Sequence, residues 1–255
     1  MTHALRTAAG AIALAFLALH LPFLPPSLED LDSINFALGV RDFDVARHQP
    51  HPPGYPVFIV AAKLMDVVAG SELLALVVLS VVCGAIAVVA MAAMMNAMDG
   101  RTTAAVAATL LTVSTPLYWV TAARPLSDMP GLAAALAVQA LALMARSDRA
   151  LLVAAALAGL AAGVRSQVVW LTLPVLVLAV ARMPGTGRWR RAFLATGAYA
   201  CGALAWFIPL VVVSGGPLEY LRTLANQGSE DFTGVVMLWT TPNSMISPSR
   251  EMPSP

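Results

Sequence analysis

The chain has 255 residues, of which 59% are hydrophobic and 11% charged, with a net charge of +1 and a mean hydropathy of +0.78. A soluble domain carries roughly 25% charged residues, so a soluble enzyme is excluded and an integral membrane protein is indicated, with no sign of a nucleic-acid partner. Cys83 and Cys201 both fall inside apolar runs, which leaves no disulfide framework and no metal motif.

Apolar runs of about 18 residues or more read as membrane spans. Seven are expected, at 8–24, 72–97, 102–121, 128–145, 150–164, 168–181 and 191–213. The first follows Arg6 and could mimic a signal peptide, but Pro22, Pro25 and Pro26 stand where a small-residue cleavage site would be, so it reads as an uncleaved helix. The fifth and sixth cannot be one straight span. Residues 150–181 would reach about 48 Å as a single helix, against a hydrocarbon core of ~30 Å, and Arg165-Ser166-Gln167 marks the turn between two helices.

Between the first two spans lies a long connection, 25–71. Leu28, Leu31, Ile34 and Leu38 recur on one face of a helix, which predicts an amphipathic helix lying apolar side down on the membrane surface. A second helical stretch is expected from Tyr55 to Val68. Arg182, Arg188, Arg190 and Arg191 crowd one short loop, and such loops stay cytoplasmic. Counting back from it puts the N-terminus in the cytoplasm and the 25–71 loop outside. Of the acids, only Asp99 and Asp148 then fall inside, so the polar working face is the outer one. Residues 214–241 form another outside segment, and 242–255, rich in Ser, Pro and Met, is expected to be a disordered tail.

Three outer clusters could carry chemistry. Ser27-x-x-Asp30 resembles a capping box, with the acid at N3; it accounts for Asp30 and, through the helix dipole, partly for Glu29. Asp32 lies beyond the cap. Ionisable groups beside a membrane core are costly to keep there, and an acid facing a cleft suits a general base on an acceptor hydroxyl.

His51-Pro52-Pro53-Gly54-Tyr55-Pro56 is either a rigid connector or a turn that aims His51 and Tyr55 at a polar ligand. Arg124-Pro125-Leu126-Ser127-Asp128-Met129-Pro130 joins spans three and four. Asp128 there is a helix cap or a site residue, and Arg124 is an interfacial anchor or a phosphate ligand. Arg165 is the second candidate for phosphate. The Gly159 and Gly163 pair signals close helix packing.

The order of these elements, an outside acidic helix with Asp32-Ser33-Ile34-Asn35-Phe36 and then His51 to Pro56, resembles the membrane-embedded GT-C glycosyltransferases, nearest the bacterial relatives of the protein O-mannosyltransferase group. Asp32 and Phe36 match that group's Asp-Glu-x-x-Phe pattern, with Ser33 in place of its second acid; Arg124 and Asp128 resemble its Arg and Asp before the fourth span.

The resemblance implies an all-α polytopic bundle, a GT-C-like seven-span module over 1–241, in the bacterial inner membrane. It implies a glycosyltransferase taking a sugar from a polyprenyl-phosphate donor to a glycan, lipid or protein acceptor on the non-cytoplasmic face. Asp32 and Asp30 would be catalytic, with Glu29 or Asp30 as substitute second acid; Arg124 and Arg165 would hold donor phosphate; Glu29, His51, Tyr55 and Asp128 would line the pocket. No cofactor is called for, and a divalent metal is not indicated.

Family members run longer, so the chain is expected to be an N-terminal portion. The alternatives are a transporter or lipid flippase, and an inactive truncated fragment. A transporter predicts midplane charges and inverted repeats; here charges gather at the outer surface and no repeat shows.

Overall fold

The computed structural model describes residues 1–185 and 187–232, the side chains of 230–232 excepted. Among the described residues it is all-helical: α1 (His3–His20), α2 (Leu31–Arg41), α3 (Pro56–Ala69), α4 (Glu72–Asp99), α5 (Thr102–Val113), α6 (Pro116–Ala123), α7 (Asp128–Met144), α8 (Asp148–Ala161), α9 (Val168–Arg182), α10 (Arg188–Val213) and α11 (Pro217–Phe232). Short 3-10 turns follow α1 and lie at Val45–Arg47. The expected tail 242–255 lies outside the described residues.

The predicted spans fall on helices, the third on two, and the helices differ in reach. Among the described residues, His3–Phe23, Glu72–Asp99 and Arg188–Val213 are long and apolar enough to cross a membrane. Thr102–Val113 and Pro116–Ala123 form one further pair, bent by 64° at their junction. Pro116 explains the break: proline cannot continue a helix interior but suits the first turn of a new one, which Thr115 caps through its side chain. Asp128–Met144 and Val168–Arg182 are shorter apolar helices, and α8 is a separate 14-residue helix.

The centre of the bundle is α4. Its buried residues run along most of its length, from Ala75 to Ala93, and α7, α1 and α3 all pack on it. Phe16 of α1 rests over Gly84, where a Cβ would sit 2.7 Å from its ring, and the Tyr118 hydroxyl donates to the Gly84 carbonyl at 2.6 Å. A second layer is made by α8 and α10, which touch backbone to backbone. A Cβ at Gly159 would collide with the Tyr199 carbonyl, and one at Gly202 with that of Ala156. Gly163 lies equally close to Val57 and Trp206. These glycines serve the close approach that small residues allow between apolar helices.

One local expectation is corrected. The cap of α2 is Asp30 at the N-cap, not Ser27 with Asp30 at N3. The Asp30 carboxylate accepts from Ser33 N–H at 2.7 Å, and Ser33 Oγ accepts from Asp30 N–H at 3.3 Å. The face of α2 that packs on the bundle is formed by residues other than the leucine stripe. Ser33, Asn35, Phe36, Gly39 and Val40 are buried, while Leu31 and Ile34 are exposed. Small residues let α2 seat closely on what lies beneath, and Gly39 is pressed against Pro50. Of the stripe, Leu31 and Ile34 are left on the outward side, and Leu28 and Leu38 are half-buried.

Candidate active site

The candidate residues gather where four connections meet at one end of the bundle. Asp30 and Asp32 come from the start of α2, His51 and Tyr55 from the proline turn before α3, Arg124 and Asp128 from the α6–α7 connection, and Arg165 from the α8–α9 connection.

The proline turn is sharply shaped. The Gln49–Pro50 and Pro52–Pro53 bonds are cis, and His48, Gly54 and Tyr55 have positive φ. Gly54, at φ 101°, is needed twice over: a Cβ there would also meet Leu210 and Val45 at 3.0 Å. The turn is tied down from both sides. Tyr220 of α11 donates its hydroxyl proton to the Pro53 carbonyl at 3.0 Å. The Val57 N–H, in the first turn of α3, donates to the Gly163 carbonyl at 3.0 Å, which satisfies a donor that the helix itself cannot.

Within that turn His51 is wedged among aromatics. Its ring centroid lies 5.2 Å from Phe36 and 5.0 Å from Tyr55, and Phe36 meets Tyr55 edge-on at 5.0 Å. His51 Nε2 pairs with the Tyr55 hydroxyl at 3.2 Å. On its other side Nδ1 is 3.7 Å from an Asp32 carboxylate oxygen, an electrostatic contact rather than a hydrogen bond at that length. The two side chains differ in access: His51 is 17% exposed and Asp32 62%. A fixed ring thus stands behind a carboxylate that solvent or a ligand can reach.

The two arginines are each held by an acid. Arg124 Nη2 donates to Asp30 at 2.7 Å with half of its side chain exposed. Arg165 is more enclosed: Nη1 donates to the buried Ser127 hydroxyl at 2.8 Å, and Nη2 is 3.1 Å from Asp128. Gly131, one turn into α7, makes room for it; a Cβ there would come within 3.2 Å of the Arg165 stem.

Burial pushes the Tyr55 phenol above its ordinary value. The nearby Arg165 charge pulls it down, and those of Asp32 and Asp128 push it up. Tyr55 therefore feels Asp32, Asp128 and Arg165 together. Burial would raise the Asp30 carboxyl too, but the Ser33 backbone N–H and the Arg124 guanidinium outweigh it and hold the group below its usual range.

Glu29 is exposed, and no ion pair reaches it among the described residues. Sequence reasoning missed Ser127 and Gly131, which position Arg165. Both stand within or beside the Arg124–Pro130 segment, whose clustered polar and helix-breaking residues were the available signal. Among the described residues no group of three His, Cys, Asp or Glu side chains could hold a metal ion.

The model of one protein family, described as dolichyl-phosphate-mannose-protein mannosyltransferase, matches residues 50–213. The matched segment contains His51, Tyr55, Arg124, Ser127, Asp128 and Arg165, and begins after Asp30 and Asp32. No curated protein and no solved structure matches the chain.

Proposed function

This chain belongs to the dolichyl-phosphate-mannose-protein mannosyltransferase family of GT-C membrane glycosyltransferases, and from that membership we propose that it transfers a sugar from a polyprenyl-phosphate donor to an acceptor hydroxyl on the non-cytoplasmic face. The observation that carries this reading is the meeting of Asp32, His51, Tyr55, Asp128 and Arg165 from separate connections at one end of the helices.

The roles follow from what each group can reach. Asp32, open to solvent with His51 behind it, takes the proton from the acceptor hydroxyl. The acceptor oxygen bonds to the anomeric carbon as the bond from that carbon to the phosphate oxygen breaks. The leaving polyprenyl phosphate carries away the electron pair, and its growing charge is met by the guanidinium groups of Arg165 and Arg124, whose planar forks suit phosphate. Since phosphate is a good leaving group, fixed charge and positioning supply the needed stabilisation. His51 and Tyr55 form a rigid wall beside the reacting sugar. Asp30, already committed to Arg124 and to the α2 cap, orients that arginine and leaves Asp32 as the base.

In this proposal the seven predicted spans form one module, with α5 and α6 together as its third, and α2 rests on the outer membrane surface through Leu31 and Ile34.

The test is transfer of labelled sugar from a polyprenyl-phosphate donor by the purified protein in proteoliposomes. Transfer that depends on Asp32 and Arg165 supports the proposal. Absence of transfer with several donor sugars, while the donor lipid also fails to bind, would overturn it.

A further inference from the structure

At the opposite end of α10, about 30 Å along the helix from the site described above, a second feature has no part in sugar transfer. Between α9 and α10 lies an open groove of about 340 Å³, walled by Leu173, Val177 and Val180 on one side and Ala192, Thr196 and Tyr199 on the other. Its lining is almost wholly aliphatic, but Arg188 and Trp189 also border it. Trp189 is 85% exposed, the disposition of an indole that anchors at a membrane–water interface.

The charge around this end is lopsided. Arg146, Arg149, Arg182, Arg188, Arg190 and Arg191 stand in or beside the two connections that meet here, with Asp148 as the acid among them. That acid is already used. Arg191 Nε donates to it at 2.8 Å, and Arg190 lies 3.9 Å away. Arg191 also donates to the Met183 and Pro184 carbonyls, which fixes the α9–α10 turn. Arg188 is thus left at the groove with no acidic partner among the described residues.

We infer that this groove binds one anionic phospholipid, its acyl chain lying between α9 and α10 and its phosphate on Arg188 beside Trp189. Three features specify that occupant. The walls are apolar save for the Thr196 and Tyr199 hydroxyls, so the bound part is a hydrocarbon chain. The cation stands at the border of those walls, where the headgroup of such a chain would lie. Arg188, with no acid among the described residues to neutralise it in that basic surround, selects an anionic over a zwitterionic headgroup by about fivefold, the magnitude for one arginine engaged. The site is a specificity element for membrane lipid, separate from the donor site.

Native mass spectrometry of the full chain in neutral detergent tests this, with phosphatidylglycerol, phosphatidylcholine and a polyprenyl phosphate as probes. The expected result is a phosphatidylglycerol preference over phosphatidylcholine of about fivefold or more. Arg188→Gln abolishes that preference, and Arg146→Gln, at the same end but outside the groove, keeps most of it. Ala181→Trp, which fills the groove from its exposed side, weakens binding of both phospholipids. Asp32→Asn changes none of these values, so the outcome is independent of the transfer reaction. Equal binding of the two phospholipids overturns the inference, as does a preference that survives Arg188→Gln. So does displacement of phosphatidylglycerol by polyprenyl phosphate, which would make the groove a donor-lipid site. A dimer that Ala181→Trp converts to monomer would assign the groove to a second copy and overturn it as well.

Discussion

Asp30 caps α2 with one carboxylate oxygen and receives Arg124 on the other, at 2.7 Å in each case. One side chain thus joins the start of α2 to the end of α6, and a residue explained by local helix chemistry is also a tertiary connection. The two roles separate by substitution. Asp30→Ser keeps a capping oxygen and loses the ion pair, whereas Asp30→Ala loses both and forfeits about 1 kcal/mol more in thermal unfolding.

The same residue predicts an acid response. The folded Asp30 carboxyl titrates below its ordinary value of 3.8. Its stabilising contribution is therefore complete above about that pH and lost as pH falls through the lower, folded value. Unfolding measured from neutral pH downward is expected to lose stability in that window, and Asp30→Asn is expected to flatten this part of the loss.

Asp32→Asn keeps size and helix position while removing the base. Sugar transfer is expected to fall by about 10²–10⁴-fold, with the unfolding temperature and donor binding unchanged. Asp30→Asn, by contrast, is expected to act mainly on the KM for donor, since it frees Arg124 without touching the base. Steady-state kinetics in proteoliposomes distinguishes the two.

Arg165 is positioned by space as much as by charge. Gly131→Ala places a methyl against its stem, and the expected result is a several-fold rise in donor KM with a small change in stability. Arg165→Lys keeps the charge but cannot hold Ser127 and Asp128 with separate nitrogens of a planar fork. It is expected to raise KM more than Gly131→Ala does. A donor titration against both variants checks the order.

Gly159→Ala tests the packing of α8 on α10. The added methyl meets backbone, not a side chain that could turn aside, so the helices must separate. A loss of about 3 kcal/mol is expected, read as a lower unfolding temperature. Gly197→Ala, on the same helix pair with open space around it, is expected to be nearly neutral.

The elements visible in the sequence are those whose signal is local. The apolar run of α4 needs no partner to be recognised as a helix, and Pro56 at the first turn of α3 marks its start in any context. The stripe Leu28, Leu31, Ile34, Leu38 marks one face of α2, but beside a membrane hydrophobic residues are not reserved for the interior. Periodicity reveals a face but not which side the protein lies on. Hence Ser33, Asn35 and Gly39, small or polar, form the buried side of α2. The pairings of Arg124 with Asp30 and Arg165 with Asp128 link residues 94 and 37 positions apart. The sequence nominated all four side chains, but only the packing of α2 beside the end of α6, and of α7 against α8, determines which cation meets which acid.

The hydrogen bond from Val57 N–H to the Gly163 carbonyl has a mechanical consequence. It joins the segment carrying His51 and Tyr55 to the one carrying Arg165, through backbone atoms that no substitution short of proline at Val57 removes. The aromatic wall and its cation share a single frame of reference, so a shift in the tilt of α8 carries both together and leaves their spacing intact. Asp32, on α2, is coupled to that frame through side chains, with Phe36 against His51 and Tyr55 and Lys63 donating to the Val40 carbonyl at 2.7 Å.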